Sequence, residues 1–100
     1  MIIEIYECRF PCPVDRKQVE DFMNNVHKPA GEKVGYNMVR CAWTHAGGPM
    51  NVLTIIVELD SFADMERRET VKEMQEFEAE WGRRFPNVEV TLSKILEVIE

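Results

Sequence analysis

Apolar and polar side chains alternate along four segments of the chain, and this alternation predicts four β-strands. The four segments are Ile2–Arg9, Tyr36–His45, Asn51–Leu59 and Val88–Val98. The third segment carries four large apolar side chains on one face, namely Leu53, Ile55, Val57 and Leu59. We therefore expect this face of the third strand to pack against helices.

Helical spacing of apolar residues predicts a first helix from about Asp15 to Lys28. Asp15 is a suitable N-cap, because its carboxylate accepts hydrogen bonds from free backbone amides. Pro29 is expected to end the helix, since proline lacks the amide hydrogen that a helix interior needs. His27 would then lie near the helix C-terminus, where the helix dipole favours a protonated imidazole.

A second helix is predicted to begin at Ser61, which forms a capping pair with Asp64. Its apolar residues do not fall on one continuous stripe, so we expect a break near Glu69–Val71. Gly82 and Pro86 are expected to end this helix.

Strands and helices follow one another in the order βαββαβ. This order gives a four-stranded antiparallel sheet with both helices on one face, the ferredoxin-like arrangement of the α+β class. One hundred residues are enough for a single domain that spans residues 1–100. The helices would leave the other face of the sheet bare.

The residues on the bare face depend on the strand register. If His45 pairs with Asn51, the second-strand side chains that face the helices are Val39, Cys41 and Trp43. We assign to the bare face Ile2, Glu4, Tyr6, Arg40, Ala42, Val52, Thr54, Ile56 and Glu58. A slip of one residue in the second strand would exchange its two sets of side chains.

A largely apolar bare face indicates an interaction surface. The simplest partner is a second copy of the chain related by a two-fold axis, so a homodimer through the open sheet face is predicted. The alternatives are a monomer with an unusually apolar sheet and a partner of different sequence.

Composition and charge limit the other partners. A net charge of −6 argues against nucleic-acid binding, which needs a clustered basic face. No apolar run approaches the roughly 18 residues that span a membrane, and no signal peptide is recognised, so neither a membrane nor secretion is expected. Three cysteines without a secretion signal predict a cytoplasmic protein with free thiols.

Several short segments carry a family resemblance. They are Pro29 with Glu32-Lys33-Val34-Gly35-Tyr36, then Gly48-Pro49-Met50-Asn51, and finally Asp60-Ser61-Phe62-Ala63-Asp64-Met65-Glu66-Arg67-Arg68. With the strand Ile2–Cys8, they resemble the NIPSNAP-like group of the dimeric α/β-barrel superfamily. The chain departs from that group after Arg68 and at Pro11-Cys12-Pro13. The resemblance implies a homodimer whose two sheets enclose a barrel.

Similar folds serve cofactor-free monooxygenases, isomerases, haem-degrading and haem-binding enzymes and proteins without known activity, so the fold does not choose a function. We expect a small-molecule-binding protein. Its enzymatic form would be a metal-independent oxygenase or isomerase that acts on an apolar or aromatic substrate without a cofactor. The alternative is a non-catalytic homodimeric assembly module.

The candidate catalytic residues are His45, Tyr6 and Arg40. His45 ends the second strand beside a glycine turn, where an imidazole can act as acid or base near neutral pH. Tyr6 and Arg40 are expected to hold a small anionic or enolic substrate inside the barrel. For His45, the simpler interpretation is a surface-loop histidine.

The candidate ligand-binding residues are Glu4, Thr54, Glu58 and Trp43. The charged residues also fit a structural interpretation, in which Arg40 pairs with Glu58 or Glu4 and fixes the register of the dimer. Trp43 either lines a pocket for a flat ligand or belongs to the core. No metal is expected, because the cysteines and histidines match no compact zinc spacing.

Overall fold

The structure, a computed structural model that describes residues 1–99, contains four strands and four α-helices within that range. In chain order the elements are β1 (Ile2–Arg9), α1 (Arg16–Phe22), a π-helical turn (Met23–His27), α2 (Lys28–Val34), β2 (Met38–Trp43), β3 (Val52–Leu59), α3 (Phe62–Arg67), α4 (Lys72–Arg84) and β4 (Glu89–Glu97). The strands form one antiparallel sheet in the spatial order β2-β3-β1-β4. The predicted ferredoxin-like α+β fold is confirmed.

The core lies between the helices and one face of the sheet. Val19 and Phe22 from α1 and Val34 from α2 are almost completely buried, as are Val57 and Leu59 from β3. Burial of each such side chain contributes about 1.5–3 kcal/mol to folding. Over residues 1–99, no helix is both long enough and apolar enough to cross a membrane.

The predicted register of the β2–β3 hairpin is confirmed. Trp43 lies opposite Leu53 and Val39 opposite Val57, so these side chains share the face that packs against the helices. Arg40 lies opposite Ile56, and both belong to the other face.

The predicted orientation of β1 is wrong. Ile2, Glu4 and Cys8 are buried beneath the helices, and Tyr6 lies on the same face, opposite Ile55. The cause is a partner distant in sequence, since Arg68 neutralises the carboxylate of Glu4 and allows it to be buried.

The helices leave one sheet face uncovered, and we call it the open face. Its side chains alternate with the covered ones along each strand and are Ile3, Ile5, Glu7, Arg9, Met38, Arg40, Ala42, Val52, Thr54, Ile56, Glu58, Leu92, Lys94 and Leu96. The open face is therefore mixed but largely apolar, as predicted, although β1 contributes Ile3 and Ile5 in place of Ile2, Glu4 and Tyr6.

The first helical segment begins as predicted but does not end at Pro29. The carboxylate of Asp15 caps it by accepting from the amide of Gln18 at 3.2 Å. The π-helical turn lets the amide of Lys28 donate to the carbonyl of Met23, five residues back, and Pro29 follows in the first turn of α2. Because this wider turn relieves the clash of the proline ring with the preceding turn, the helical path continues to Gly35, whose φ of 104° ends it.

The second helical segment is divided as predicted. Ser61 caps α3 by accepting from the amide of Asp64 at 3.3 Å, and the path breaks before α4 begins at Lys72. Gly82 lies inside α4 rather than at its end, and Phe85 is the C-cap.

Candidate functional site

A cavity of about 350 Å³ lies between the sheet and α4. Its floor is formed by Cys8, Ile55 and Met74, each at most 5% exposed. Aromatic rings from four residues form its walls, namely Tyr6, Tyr36, Phe77 and Trp81. The cavity thus offers an apolar, flat-sided space with a small number of polar groups.

Arg68 brings a positive charge to this cavity, and Glu4 balances it. The two guanidinium nitrogens of Arg68 donate to the two carboxylate oxygens of Glu4, with Nη2 and Oε2 3.0 Å apart. Nη1 of Arg68 also reaches the hydroxyl oxygen of Tyr6 at 3.2 Å. This bidentate geometry fixes the guanidinium plane beside the cavity.

Burial and the charge of Glu4 change the acidities of the nearby groups. Burial, and then the carboxylate of Glu4, raise the pKa of the Tyr6 phenol well above its usual value, so Tyr6 keeps its proton at neutral pH. Burial also raises the pKa of Tyr36. Both phenols are therefore neutral hydrogen-bonding groups on the cavity wall.

His27 is a further polar group that lines the cavity, and it is uncharged. It lies at the end of the π-helical turn, is 5% exposed and stacks against Phe77 with ring centroids 4.6 Å apart. Burial lowers the pKa of His27 to about 4, and its Nδ1 is buried without a hydrogen-bond partner. The predicted capping role of His27 is wrong, because the helical path continues beyond it.

Tyr36 is placed against the cavity by the end of α2. The amides of Gly35 and Tyr36 both donate to the carbonyl of Gly31, at 3.0 and 2.9 Å. A Cβ atom on Gly31 would lie 2.4 Å from Cδ2 of Tyr36, so the ring is packed directly on the helix backbone. Glycine at position 31 therefore allows this aromatic wall.

Of the predicted site residues, the structure brings Glu4 and Tyr6 to this cavity. They meet Arg68 at the cavity instead of Arg40, so the predicted pairing of Glu4 with Arg40 is wrong. Arg40 makes no ion pair among residues 1–99, and it lies with Thr54 and Glu58 on the open face.

The other two predicted residues lie apart from this cavity. His45 is exposed in the β2–β3 connection. Trp43 lines a separate space of about 240 Å³ between β2 and α1, with the guanidinium carbon of Arg16 4.9 Å from its ring centroid. Its indole Nε1 is buried without a partner.

The cysteines supply no obvious reactive centre. Cys8 is buried, and burial raises the pKa of its thiol to about 11. Cys12 is exposed, and Cys41 is exposed as well, although it lies on the face of edge strand β2 that is turned toward the helices. Across residues 1–99, no group of three or more His, Cys, Asp or Glu side chains has the arrangement of a metal site.

Sequence reasoning missed Arg68 and His27 as site residues. Arg68 stands among glutamates and arginines that read as a solvated helix surface, and its partner Glu4 is 64 residues away. A usable signal for His27 was the proline two residues later within a helical stretch, since wide helical turns often occur at functional sites.

No protein-family model matches the chain, and no curated protein matches it. Solved structures do share its fold. Rv0793 from Mycobacterium tuberculosis superposes with a TM-score of 0.71 and 11% identity, over 100% of this chain and 97% of that one. A protein from Deinococcus radiodurans, provisionally assigned as an antibiotic biosynthesis monooxygenase, superposes with a TM-score of 0.72 and 12% identity. The superposition covers 100% of this chain and 94% of that one.

A NIPSNAP domain protein from Burkholderia xenovorans superposes with a TM-score of 0.69 and 15% identity, over 99% of this chain and 95% of that one. Identities this low establish a common fold and leave the activity open. The chain therefore shares its ferredoxin-like fold with these proteins.

Proposed function

We propose that the protein binds a small, flat, largely apolar molecule in the cavity between the sheet and α4. The volume of about 350 Å³ supports this, because small-molecule sites begin at about 300 Å³. The apolar floor and the aromatic walls favour a ring system, and the few polar groups would fix its orientation.

Arg68 and Tyr6 are the groups that orient an oxygen atom of the bound molecule. The guanidinium is held by Glu4 and keeps further N–H donors, and Tyr6 accepts from its Nη1 and so helps to fix the guanidinium in a partly buried site. Fixed donors of this kind stabilise negative charge that develops on an oxygen.

In the enzymatic form of the proposal, His27 accepts a proton from an acidified C–H or O–H group. The charge then rests on the oxygen held by Arg68 and Tyr6. In an isomerase the proton returns to another carbon. In an oxygenase, dioxygen converts a CH₂ group into a carbonyl, and its second oxygen atom leaves as water with the two hydrogens. One observation carries the proposal: His27, 5% exposed and with an Nδ1 that has no hydrogen-bond partner, lines the same cavity as Arg68.

Calorimetric titration with 2-naphthol, a flat neutral molecule with one oxygen, tests the binding. Glu78→Trp narrows the cavity, because Glu78 lines it from α4, whereas Glu76→Trp adds the same bulk outside it. We expect the wild type and Glu76→Trp to bind, and Glu78→Trp to bind about tenfold more weakly. Failure of the wild type to bind, or equal binding by both variants, would contradict the proposal.

The alternative function is a homodimeric module that pairs through the open face, and the apolar character of that face favours it as a second candidate. Its charged residues have both signs, Arg40 and Lys94 against Glu7 and Glu58, so the face does not repel a second copy as a face of one sign would. The apolar residues between them, including Ile5 and Ile56, supply the buried area.

A further inference from the structure

The two ends of the cavity differ in character. The floor is apolar and buried, whereas Glu69 and Glu78 line the cavity from exposed positions on its outer side. Glu69 follows α3, and Glu78 lies in the middle of α4. The mouth of the cavity is therefore acidic, and its inner end is apolar.

The carboxylates at the mouth are not neutralised by the protein. Neither Glu69 nor Glu78 forms an ion pair within residues 1–99. The positive charge that lines the cavity belongs to Arg68, and Glu4 already balances it. The two carboxylates therefore give the mouth a negative charge, in a chain whose net charge is −6.

A second observation at the same cavity points to a ligand. His27 is only 5% exposed, and its Nδ1 has no hydrogen-bond partner. Buried polar atoms in folded proteins are nearly always paired, so His27 is a polar side chain with unmet hydrogen-bonding capacity in the wall of the cavity. It offers a hydrogen-bonding group without adding a positive charge that would attract anions.

We propose that the natural ligand is an arylalkylamine, with its ring in the inner part of the cavity and its ammonium group at the mouth beside Glu69 and Glu78. This inference rests on the proposed function and adds the charge class of the ligand. The aromatic walls reinforce it, because the faces of Tyr36 and Trp81 attract a cation as well as a ring. Repulsion at the mouth weakens the binding of aromatic carboxylates relative to the amine.

Three probes with the same ring system test the charge class at neutral pH. They are neutral 2-naphthol, cationic 2-naphthylmethylammonium and anionic 2-naphthoate. Several weak ion contacts act in concert, attractive for the cation and repulsive for the anion, so we expect the ammonium probe to bind about tenfold more tightly than the carboxylate. Equal or tighter binding of 2-naphthoate would overturn the inference.

Charge variants locate the effect. Glu69→Gln/Glu78→Gln should reduce the preference for the ammonium probe to about twofold, since it removes both mouth carboxylates. Glu73→Gln/Glu76→Gln is the matched control, because it changes the net charge equally at two positions of α4 that do not line the cavity. A control that lost the preference equally would overturn the inference. If 2-naphthol binds but the ammonium and carboxylate probes bind equally, only the inference about charge is wrong. If 2-naphthol does not bind, the proposed function is wrong as well.

Discussion

Glu4 and Arg68 form the one strongly buried ion pair found among residues 1–99. The side chain of Glu4 is 3% exposed and that of Arg68 is 21% exposed, and both oxygens of the carboxylate are engaged. Desolvation offsets most of the attraction within such a pair, but removal of one partner leaves an uncompensated buried charge. The pair therefore fixes the donors at the cavity more than it adds net stability.

Arg68→Met is expected to lower the free energy of unfolding by about 3 kcal/mol, because it strands the charge of Glu4. The double variant Glu4→Leu/Arg68→Met should recover most of that loss, since no charge remains buried. Urea unfolding of both variants measures the effect. A double variant no more stable than Arg68→Met would show that stranded charge is not the cause.

His27 makes stability depend on pH. Its pKa is about 4 in the folded protein and near 6.5 in the unfolded chain, so between these values the unfolded chain binds a proton that the folded protein does not. Stability is therefore full above pH 6.5 and is lost as the pH falls toward 4. The total loss from this group is about 3 kcal/mol.

His27→Leu should remove this component, and the exposed His45 provides the control as His45→Leu. Chemical unfolding at a series of pH values between 7 and 4 makes the comparison. We expect the wild type and His45→Leu to lose stability together, and His27→Leu to lose about 3 kcal/mol less. Parallel curves for all three proteins would mean that His27 is not held neutral by burial.

At the scale of the elements, local patterns in the sequence predict most of the fold. The four strands, the cap at Asp15 and the break before α4 follow from alternation and capping rules that act within a few residues. The orientation of β1 does not, because the burial of Glu4 depends on Arg68, far away in sequence. The sequence also did not predict that the helical path continues through Pro29, because a wide turn can relieve the clash of the proline ring.

The candidate site was less predictable than the fold. Tyr6 and Glu4 were identified as site residues from the sequence, but on the wrong face of the sheet. Their partners Arg68 and His27 reach them through tertiary packing between the sheet and separate helical segments. The spacing of residues along the sequence carries no information about these tertiary contacts.

The contact between Gly31 and Tyr36 gives a test at the element scale. Gly31→Ala should destabilise the protein by about 1–3 kcal/mol and displace Tyr36, because the new methyl group would lie 2.4 Å from the ring. Gly82→Ala in α4 is the control: it meets no atom within 4 Å and should stabilise by about 0.5–1 kcal/mol through helix propensity. Thermal unfolding measures the stability of both variants. A Gly31→Ala variant more stable than the wild type would refute the close contact between Gly31 and Tyr36.

At the scale of the whole molecule, the protein presents two distinct surfaces for interaction. The cavity lies on the helix side of the sheet within one chain, and the open face lies on the opposite side. Ligand binding at the first and dimer formation at the second are therefore compatible. Each can be disrupted without direct contact with the other.

Ile56→Asp on the open face is expected to convert a dimer to a monomer, because it places a charge in the proposed apolar interface. Val90→Asp is the matched control, since Val90 is 60% exposed on the opposite face of the sheet, opposite Cys8. Sedimentation velocity at micromolar concentration should show a dimeric wild type and Val90→Asp, and a monomeric Ile56→Asp. A monomeric wild type would remove the dimer proposal.

We propose that the ligand binds between the sheet and α4 within one chain, and NMR chemical-shift mapping with 2-naphthol distinguishes this site from the open face. We expect shifts for the side-chain methyl groups of Ile55 and Met74, which form the cavity floor, and none for Ile5 and Ile56 on the open face. Shifts confined to the open face, or none in the cavity at saturating 2-naphthol, would rule this site out.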